Sequence, residues 1–304
     1  MNIRTSPLVQ AVTEAKRPTD LVAWLVAVFV GVLVTEIAIQ LVILILFDKA
    51  YHGSIREQVE ELFPNLGTLL VLGIWVVLKE KRAFRTIGFL GDRRAWRFFC
   101  GFLGGITLFA LPTAALWWGG HLVRQSSPYS MTGSTLLTVL LIIPVWIVQA
   151  TTEETVIRGY LLQWHGIKQP AWAAILIISL GFALLHRNFD PLVFSQLMLF
   201  SLMCCFLVLG QGSLWMAAGV HTGWNLAQGN LFGIPVNGMS HKVSLITLIP
   251  REGVPDWLTG GDYGLEASVP AVCIELIAVV LAYLYYRRVE ARREASALPL
   301  AAVP

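Results

Sequence analysis

Long apolar runs separated by short polar segments constrain the fold of this 304-residue chain more than any other feature. Most of the runs approach the roughly 20 residues that an α-helix needs to cross the hydrocarbon core of a bilayer. Hydrophobic residues make up 56% of the chain and charged residues only 13%, about half of the roughly 25% found in soluble domains. The pattern predicts an all-α, polytopic helical membrane protein with about eight transmembrane helices. The predicted spans are residues 21–47, 62–78, 96–119, 136–164, 171–187, 192–209, 213–232 and 269–287.

Three clusters of basic residues predict how these helices are oriented. Seven lysines and arginines lie between Lys79 and Arg97, four between Arg287 and Arg293, and three within the first 17 residues. Cytoplasmic loops carry an excess of such residues, and eight spans place all three clusters on one side, so both termini are expected in the cytoplasm. The net charge of +3 gives no indication of nucleic-acid binding. The expected segments are a polar N-terminal arm (1–20), a helical membrane domain (21–287) and a polar C-terminal tail (288–304).

The stretch ATTEETVIRGYLL, residues 150–162, places three ionisable groups in the second half of the fourth span. Ionisable side chains inside membrane helices are costly and usually mark functional sites. Glu154 and Arg158 are four residues apart, share a helix face and can form an ion pair. Glu153 points about 100° away from Glu154 and meets a different environment. The purely structural alternative is a buried ion pair with an interfacial charge beside it.

Two further polar motifs lie in later spans. His186 is near the end of the fifth span, and Phe182 lies one turn earlier on the same face. His221 and Asn225 are four residues apart on one face of the seventh span, where neighbouring glycines permit close approach of another helix. Taken separately, each motif is also explained by a structural hydrogen bond between helices.

The depths of these groups in the bilayer are similar. Counted from the predicted cytoplasmic ends at about 1.5 Å per residue, they are about 16 Å for Glu153, 22 Å for His186, 12 Å for His221 and 18 Å for Asn225. The groups can therefore form one cluster around a water-filled cavity, because they cannot face lipid.

Such a cluster supports hydrolysis of an amide bond by either of two routes. A carboxylate can act as a general base that deprotonates a water, while His and Asn side chains stabilise the oxyanion of a tetrahedral intermediate. Alternatively, Glu153, His186 and His221 could bind a divalent metal ion such as zinc, which would activate the water. The HExxH, GxSxG and P-loop motifs of other hydrolases and nucleotide-binding proteins are absent.

The three motifs EExxxR, FxxxH and HxxxN, in this order on successive membrane helices, resemble the signature of the CPBP family. These are the CAAX-protease and bacteriocin-processing intramembrane proteases, also called the Abi family, and they include the type II CAAX prenyl endopeptidases. The core of the resemblance covers about 134–232. Softer similarities, among them GGDYGLEAS at 260–268, extend it to about 85–285.

This resemblance implies an intramembrane endopeptidase of the bacterial cytoplasmic membrane that acts on a peptide or a lipidated protein. By motif position, Glu153 would activate the hydrolytic water with the assistance of His186. His221 and Asn225 would form the oxyanion site. Members have been described both as metalloproteases and as metal-independent glutamate proteases, so the resemblance leaves the metal open. The residues implied to support and orient the base are Glu154 and Arg158.

Two other functions remain open from the sequence. Buried ionisable groups also serve proton relays, and Glu36 and Gln40 in the first span and Glu275 in the last could extend one in a proton-coupled transporter, although no inverted repeat is evident. A non-catalytic scaffold or immunity protein on the same fold is the second alternative. The sequence does not indicate the substrate or the oligomeric state. Gly101 and Gly105 predict close packing of two helices within the chain.

Overall fold

The computed structural model describes residues 1–19, Ile37, 55–126, 132–241 and 243–297, and the chain is mostly helical there. Short 3₁₀ turns connect several of the α-helices. Three π-helical turns, in which the helix widens locally, continue α3, α5 and α9; they are Trp75–Lys79, Thr155–Leu161 and Ala227–Leu231. The α-helices of these ranges are α1 (Pro7–Gln10), α2 (Ile55–Glu60), α3 (Leu62–Ile74), α4 (Arg94–Trp118), α5 (Gly133–Glu154), α6 (Leu162–Lys168), α7 (Ala171–Leu185), α8 (Pro191–Gln211), α9 (Trp215–Leu226), α10 (Asp256–Thr259) and α11 (Val269–Ala297).

Five helical segments of the described residues are long and apolar enough to cross a membrane. They correspond to the second, third, fourth, sixth and eighth predicted spans. The prediction of eight spans is not confirmed, and the orientation of the termini stays a prediction. The five segments are Gln58–Lys79, Arg94–Trp118, Gly133–Lys168, Pro191–Gln211 and Val269–Ser296.

The other three predicted spans differ from these five. The fifth predicted span is α7, whose 15 residues are about 22 Å long, less than the roughly 30 Å of a bilayer core. The seventh is α9, a helix of 12 residues followed by a π-helical turn. The first, 21–47, lies outside the described residues, and so do Glu36 and Gln40.

Helix α9 lies at the centre of the described fold. Every residue from Ala217 to Leu226 is buried, and α9 packs against α4, α5 and α8. The ring of Trp224 packs edge-on against Phe109 on α4 and Phe200 on α8, with centroids 5.1 and 5.9 Å apart. The apolar residues of α9 are therefore covered by other helices of the same chain.

Four glycines bring α4 and α9 into backbone contact. Gly101 and Gly105 on α4 face the backbone of α9, and Gly219 and Gly223 on α9 face the backbone of α4. A Cβ at any of the four would overlap a carbonyl oxygen of the other helix. The predicted packing within one chain is confirmed, and it fixes the position of His221 between the two glycines of α9.

Residues 1–19, predicted as a polar arm, fold against the helices. The Leu8 side chain is fully buried, and its carbonyl oxygen accepts a hydrogen bond from the Gln163 amide on α6 at 2.8 Å. The backbone N–H of Asn2 donates to a carboxylate oxygen of Glu290 on α11 at 2.6 Å. The segment thus connects the ends of two helices.

A small antiparallel sheet accompanies the helices, which otherwise agree with the predicted all-α class. Strand β1 (Leu122–Arg124) follows α4 after a turn at Gly120, whose positive φ of 74° favours glycine. It pairs with β2 (Leu248–Pro250), with Val123 opposite Ile249. The sheet attaches the long segment between α9 and α11 to the end of α4. This segment supplies two residues to the site described next.

Candidate active site

A cavity of about 20 Å³ lies between α5, α7, α8 and α9 and is also lined by the segment between α9 and α11. A water needs roughly 10–15 Å³ of such space, so the cavity can hold one water molecule. It is lined by Gln149, Glu153, Phe182, His186, Gln196, Leu197, Phe200, His221, Trp224, Asn225, Asn237 and Glu266.

A larger cavity of about 900 Å³ is open to the outside and is lined by the segment between α9 and α11 and by β1. It contains none of the residues of the three sequence motifs. Because the chemistry lies elsewhere, we place the candidate active site at the small cavity.

Glu154, Arg158 and His221 form a buried cluster beside this cavity. The predicted pair is present: Nη1 of Arg158 lies 3.0 Å from Oε1 of Glu154, and both side chains are fully buried. Nδ1 of His221 lies 3.0 Å from the same carboxylate oxygen. Since a carboxylate only accepts hydrogen bonds, Nδ1 carries the hydrogen and Glu154 sets the orientation of the imidazole ring.

Glu153 faces the cavity, and its side chain is 32% exposed. Its Oε1 accepts a hydrogen bond from the amide of Gln149, 2.5 Å away and one turn earlier on α5. The Oε1 of Gln149 accepts in turn from Nδ2 of Asn225 at 2.9 Å. The other carboxylate oxygen, Oε2, lies 3.9 Å from Nε2 of His221. This gap is too long for a hydrogen bond and is short enough for one water to contact both atoms.

His186 and Phe182 lie on another side of the same cavity. Nδ1 of His186 lies 2.8 Å from the carbonyl oxygen of Phe182, so this nitrogen donates, and in the neutral ring Nε2 is left as an acceptor. The Phe182 ring packs between His186, at 4.7 Å between centroids, and the guanidinium carbon of Arg158, at 4.2 Å from the ring centroid. The contact with Arg158 has the geometry of a cation–π interaction.

The structure adds polar residues to the cavity that the sequence motifs do not include. Gln149 precedes Glu153 by four residues, so the spacing that pairs Glu154 with Arg158 could have identified it. Glu266 lies in the stretch GGDYGLEAS, which is among the softer similarities to the CPBP family but indicated no role for this residue. Gln196 and Asn237 carry no such signal, because they reach the cavity only through the packing of α8 and the course of a loop.

The segment between α9 and α11 is held at the cavity by hydrogen bonds to Glu266. Its two carboxylate oxygens accept from Nε1 of Trp224 at 3.3 Å and from the backbone N–H of Asn237 at 3.0 Å. The hydroxyl of Tyr263 donates to Oδ1 of Asn237 at 3.2 Å. Burial, together with the charge of Glu266, raises the pKa of Tyr263 to about 12, so this hydroxyl keeps its proton at neutral pH.

The candidate metal ligands do not form a metal site as they are placed. In the part of the chain that the structure describes, no group of three or more His, Cys, Asp or Glu side chains is arranged to hold a metal ion. Nδ1 of His221 and Nδ1 of His186 each donate to an oxygen of the protein, which leaves Nε2 of both rings free, and histidines that ligate a metal commonly make such a bond. We derive no step through a metal because the described side chains do not form a set of three ligands.

Comparison with known proteins identifies the region that carries the cluster. Residues 134–227 match the family model described as type II CAAX prenyl endopeptidase Rce1-like. No curated protein and no solved structure matches the chain. The matched region contains all three motifs, from Glu153 to Asn225. The five apolar helices and this match indicate an integral membrane protein. Residues 134–227, about a third of the chain, are therefore similar to the type II CAAX prenyl endopeptidase Rce1-like family, in agreement with the CPBP family that the motifs resemble.

Proposed function

We propose that this chain is an intramembrane endopeptidase that hydrolyses a peptide bond of a membrane-associated substrate with a water activated by Glu153. The observation that carries the proposal is the cavity of about 20 Å³ in which Oε2 of Glu153 and Nε2 of His221 lie 3.9 Å apart. This arrangement offers one water a hydrogen-bond acceptor on a carboxylate inside a membrane protein. A base must lie within hydrogen-bond reach of the proton that it removes.

The reaction begins with transfer of a proton from the water to Glu153. The water oxygen attacks the carbonyl carbon of the scissile bond and forms a tetrahedral oxyanion. The amide nitrogen of Asn225 has two hydrogens, of which one is donated to Gln149 and the other is available to the oxyanion. Glu153 then returns the proton to the leaving nitrogen, the C–N bond breaks, and a carboxylate and an amine are released.

The remaining motif residues position these groups. Glu154 holds the His221 ring through Nδ1, so that Nε2 is directed toward Glu153. Because Nδ1 already donates to Glu154, Nε2 donates to the oxyanion in the doubly protonated ring, whose charge Glu154 compensates. Arg158 compensates the buried charge of Glu154, which would otherwise be very unfavourable. His186 lines the same cavity, and Nε2 of its neutral ring can accept the second hydrogen of the water that Glu153 deprotonates.

The proposed substrate is a membrane-associated peptide such as the C-terminal tail of a lipidated protein. The support is the description of the matching family, whose name refers to CAAX prenyl endopeptidases. We further propose that the chain lies in the bacterial cytoplasmic membrane with eight spans and with both termini in the cytoplasm.

Cleavage of a fluorogenic, farnesylated CAAX-type peptide by the purified protein in detergent micelles tests this function. Wild type should cleave the peptide, and Glu153→Gln should lower kcat by at least about 1,000-fold, since the reaction loses its base. Glu294→Gln, an exposed glutamate on α11, is the matched control and should retain full activity.

His186→Ala and His221→Ala should each reduce activity by about 100-fold or more, in the range typical of acid–base and oxyanion groups. His121→Ala, outside the cavity, provides the control. Cleavage that survives Glu153→Gln would refute the assignment. Loss of wild-type activity with a chelator, restored by zinc, would replace the metal-independent route by the metal-dependent one.

A further inference from the structure

Gln196 on α8 presents an unpaired hydrogen-bond acceptor to the catalytic cavity. The side chain is 1% exposed and lines the cavity, although no sequence motif includes it. Its amide nitrogen donates to Oε1 of Glu275 at 2.8 Å. Its oxygen, Oε1, is buried and has no hydrogen-bond partner among the described residues. A buried acceptor without a partner costs free energy, and in a native protein it calls for an explanation.

Glu275 determines which end of the Gln196 amide faces the cavity. It is fully buried on α11, and it does not line the cavity. Because the amide nitrogen is bonded to Glu275, the amide oxygen is the polar atom left for the cavity. Glu275, which the sequence suggested for a proton path, instead orients a glutamine.

A second acceptor lines the same cavity. Glu266 is only 4% exposed, and each of its carboxylate oxygens accepts one hydrogen bond from a neutral donor, so each retains a free lone pair. Gln149 and Asn225 supply amide N–H groups on the side of Glu153. The cavity therefore has N–H donors near the catalytic carboxylate and acceptors at Gln196 and Glu266.

We propose that Gln196, oriented by Glu275 and assisted by Glu266, forms a subsite that accepts a backbone N–H of the bound substrate. The ligand class is an extended polypeptide main chain, which offers a carbonyl to the donors near Glu153 and an N–H to the acceptors opposite. The inference rests on the proposed function and adds to it the group that holds the peptide in register beside the base.

Binding of backbone-methylated peptides tests this subsite without requiring turnover. The protein is the Glu153→Gln variant, and the probes are the farnesylated peptide and a series in which one backbone nitrogen at a time is methylated. Methylation removes the N–H and leaves the sequence unchanged. Methylation at one backbone position should weaken binding by about 10- to 100-fold relative to the unmethylated peptide, as expected when a buried acceptor loses its donor.

The same series is then measured in Glu153→Gln carrying Gln196→Leu and Glu275→Leu. Replacing both partners leaves neither one buried and unpaired, which preserves the fold better than a single substitution. In this protein, methylation at the sensitive position should weaken binding of the peptide by less than about twofold. Ser201→Ala, which removes a buried hydroxyl of α8 outside the cavity, is the matched control and should keep the full effect of methylation.

Two results would overturn the subsite: equal binding of every methylated peptide, or the same discrimination in the Leu/Leu protein. Cleavage is measured separately with wild type. A protein that shows the predicted discrimination but cleaves nothing would refute the proposed reaction and leave the peptide subsite standing. A protein that cleaves the peptide but binds every methylated peptide equally would refute the subsite and leave the proposed reaction standing.

Discussion

Substitution of Gly105 on α4 by alanine measures how accurately the residues of α9 must be positioned beside Glu153. A Cβ at this residue would lie 2.0 Å from the carbonyl oxygen of Val220 and 2.8 Å from the backbone nitrogen of Trp224. Carbon and carbonyl oxygen approach to about 3.3 Å, so Gly105→Ala must move α9 away from α4 by about 1.3 Å. His221 and Asn225 lie on α9, and they move with it relative to Glu153 on α5.

The effect on stability can be separated from helix propensity by a neighbouring glycine. Gly104 is on the same helix, and a Cβ there would meet nothing within 4 Å. Both Gly→Ala changes gain about 1 kcal/mol of helix propensity, so the difference between them isolates the overpacking, which typically costs about 1–3 kcal/mol. Gly105→Ala should therefore be less stable than Gly104→Ala by about 1–3 kcal/mol.

The effect on catalysis should exceed the effect on folding. A misplacement of about 1 Å can cost about 100-fold in rate, so a shift of about 1.3 Å should reduce kcat of Gly105→Ala by about 100-fold or more at a temperature where the protein is folded. Gly104→Ala should match wild type. The assays are thermal unfolding in detergent micelles and peptide cleavage by the folded fraction. Equal stability and equal kcat in the two variants would show that the glycine contact does not position α9.

Three further predictions concern the polar groups around the cavity. Gln149→Met should lower kcat by about tenfold with KM unchanged, because it removes the hydrogen bond that orients Glu153; an unchanged kcat would contradict this. Arg158→Ala should lower activity and also destabilise the protein by about 3–5 kcal/mol, because it leaves the charge of Glu154 buried without its ion pair. Glu153→Gln should abolish activity in a protein that remains folded. Equal loss of folded protein in the two variants would favour a purely structural ion pair. Tyr263 has a pKa raised from 10.0 to about 12 in the folded chain, so the stabilisation from its protonated form is complete below pH 10 and is lost as the pH rises toward 12. The difference in unfolding free energy between wild type and Tyr263→Phe should therefore fall over that range. A constant difference would show that the pKa of Tyr263 is not raised by folding.

Relations within one helix were predictable from the sequence. The pair of Glu154 and Arg158 follows from the spacing of four residues, and it forms even though Arg158 lies in a π-helical turn. The spacing of Gly101 and Gly105 predicted close packing against another helix of the chain, because small residues one turn apart leave a groove for another backbone, but it did not identify α9 as that helix. These predictions depend only on local periodicity.

Relations between elements were less accessible. Hydropathy does not distinguish a helix that faces lipid from one that faces other helices, so the sequence did not show that residues 217–226 of α9 are all buried within the chain. Glu266 contacts Trp224 across a loop of about 40 residues, and no periodic pattern determines the course of such a loop. Gln196 is one amide in an apolar helix, and its role depends on the rotation of α8 against α11.

The size of the cavity beside Glu153 limits what it can hold in the described conformation. At about 20 Å³ it accommodates one water, whereas pockets that bind ligands typically measure about 300–1,000 Å³. The side chain of Glu153 is nevertheless 32% exposed, so part of the carboxylate can be reached without any movement of the protein. A peptide bond, which the proposed reaction requires beside Glu153, is larger than one water, so side chains around the cavity would have to move apart to seat it. In the proposed enzyme, the rate of peptide entry would therefore depend on the mobility of these side chains as well as on the chemistry.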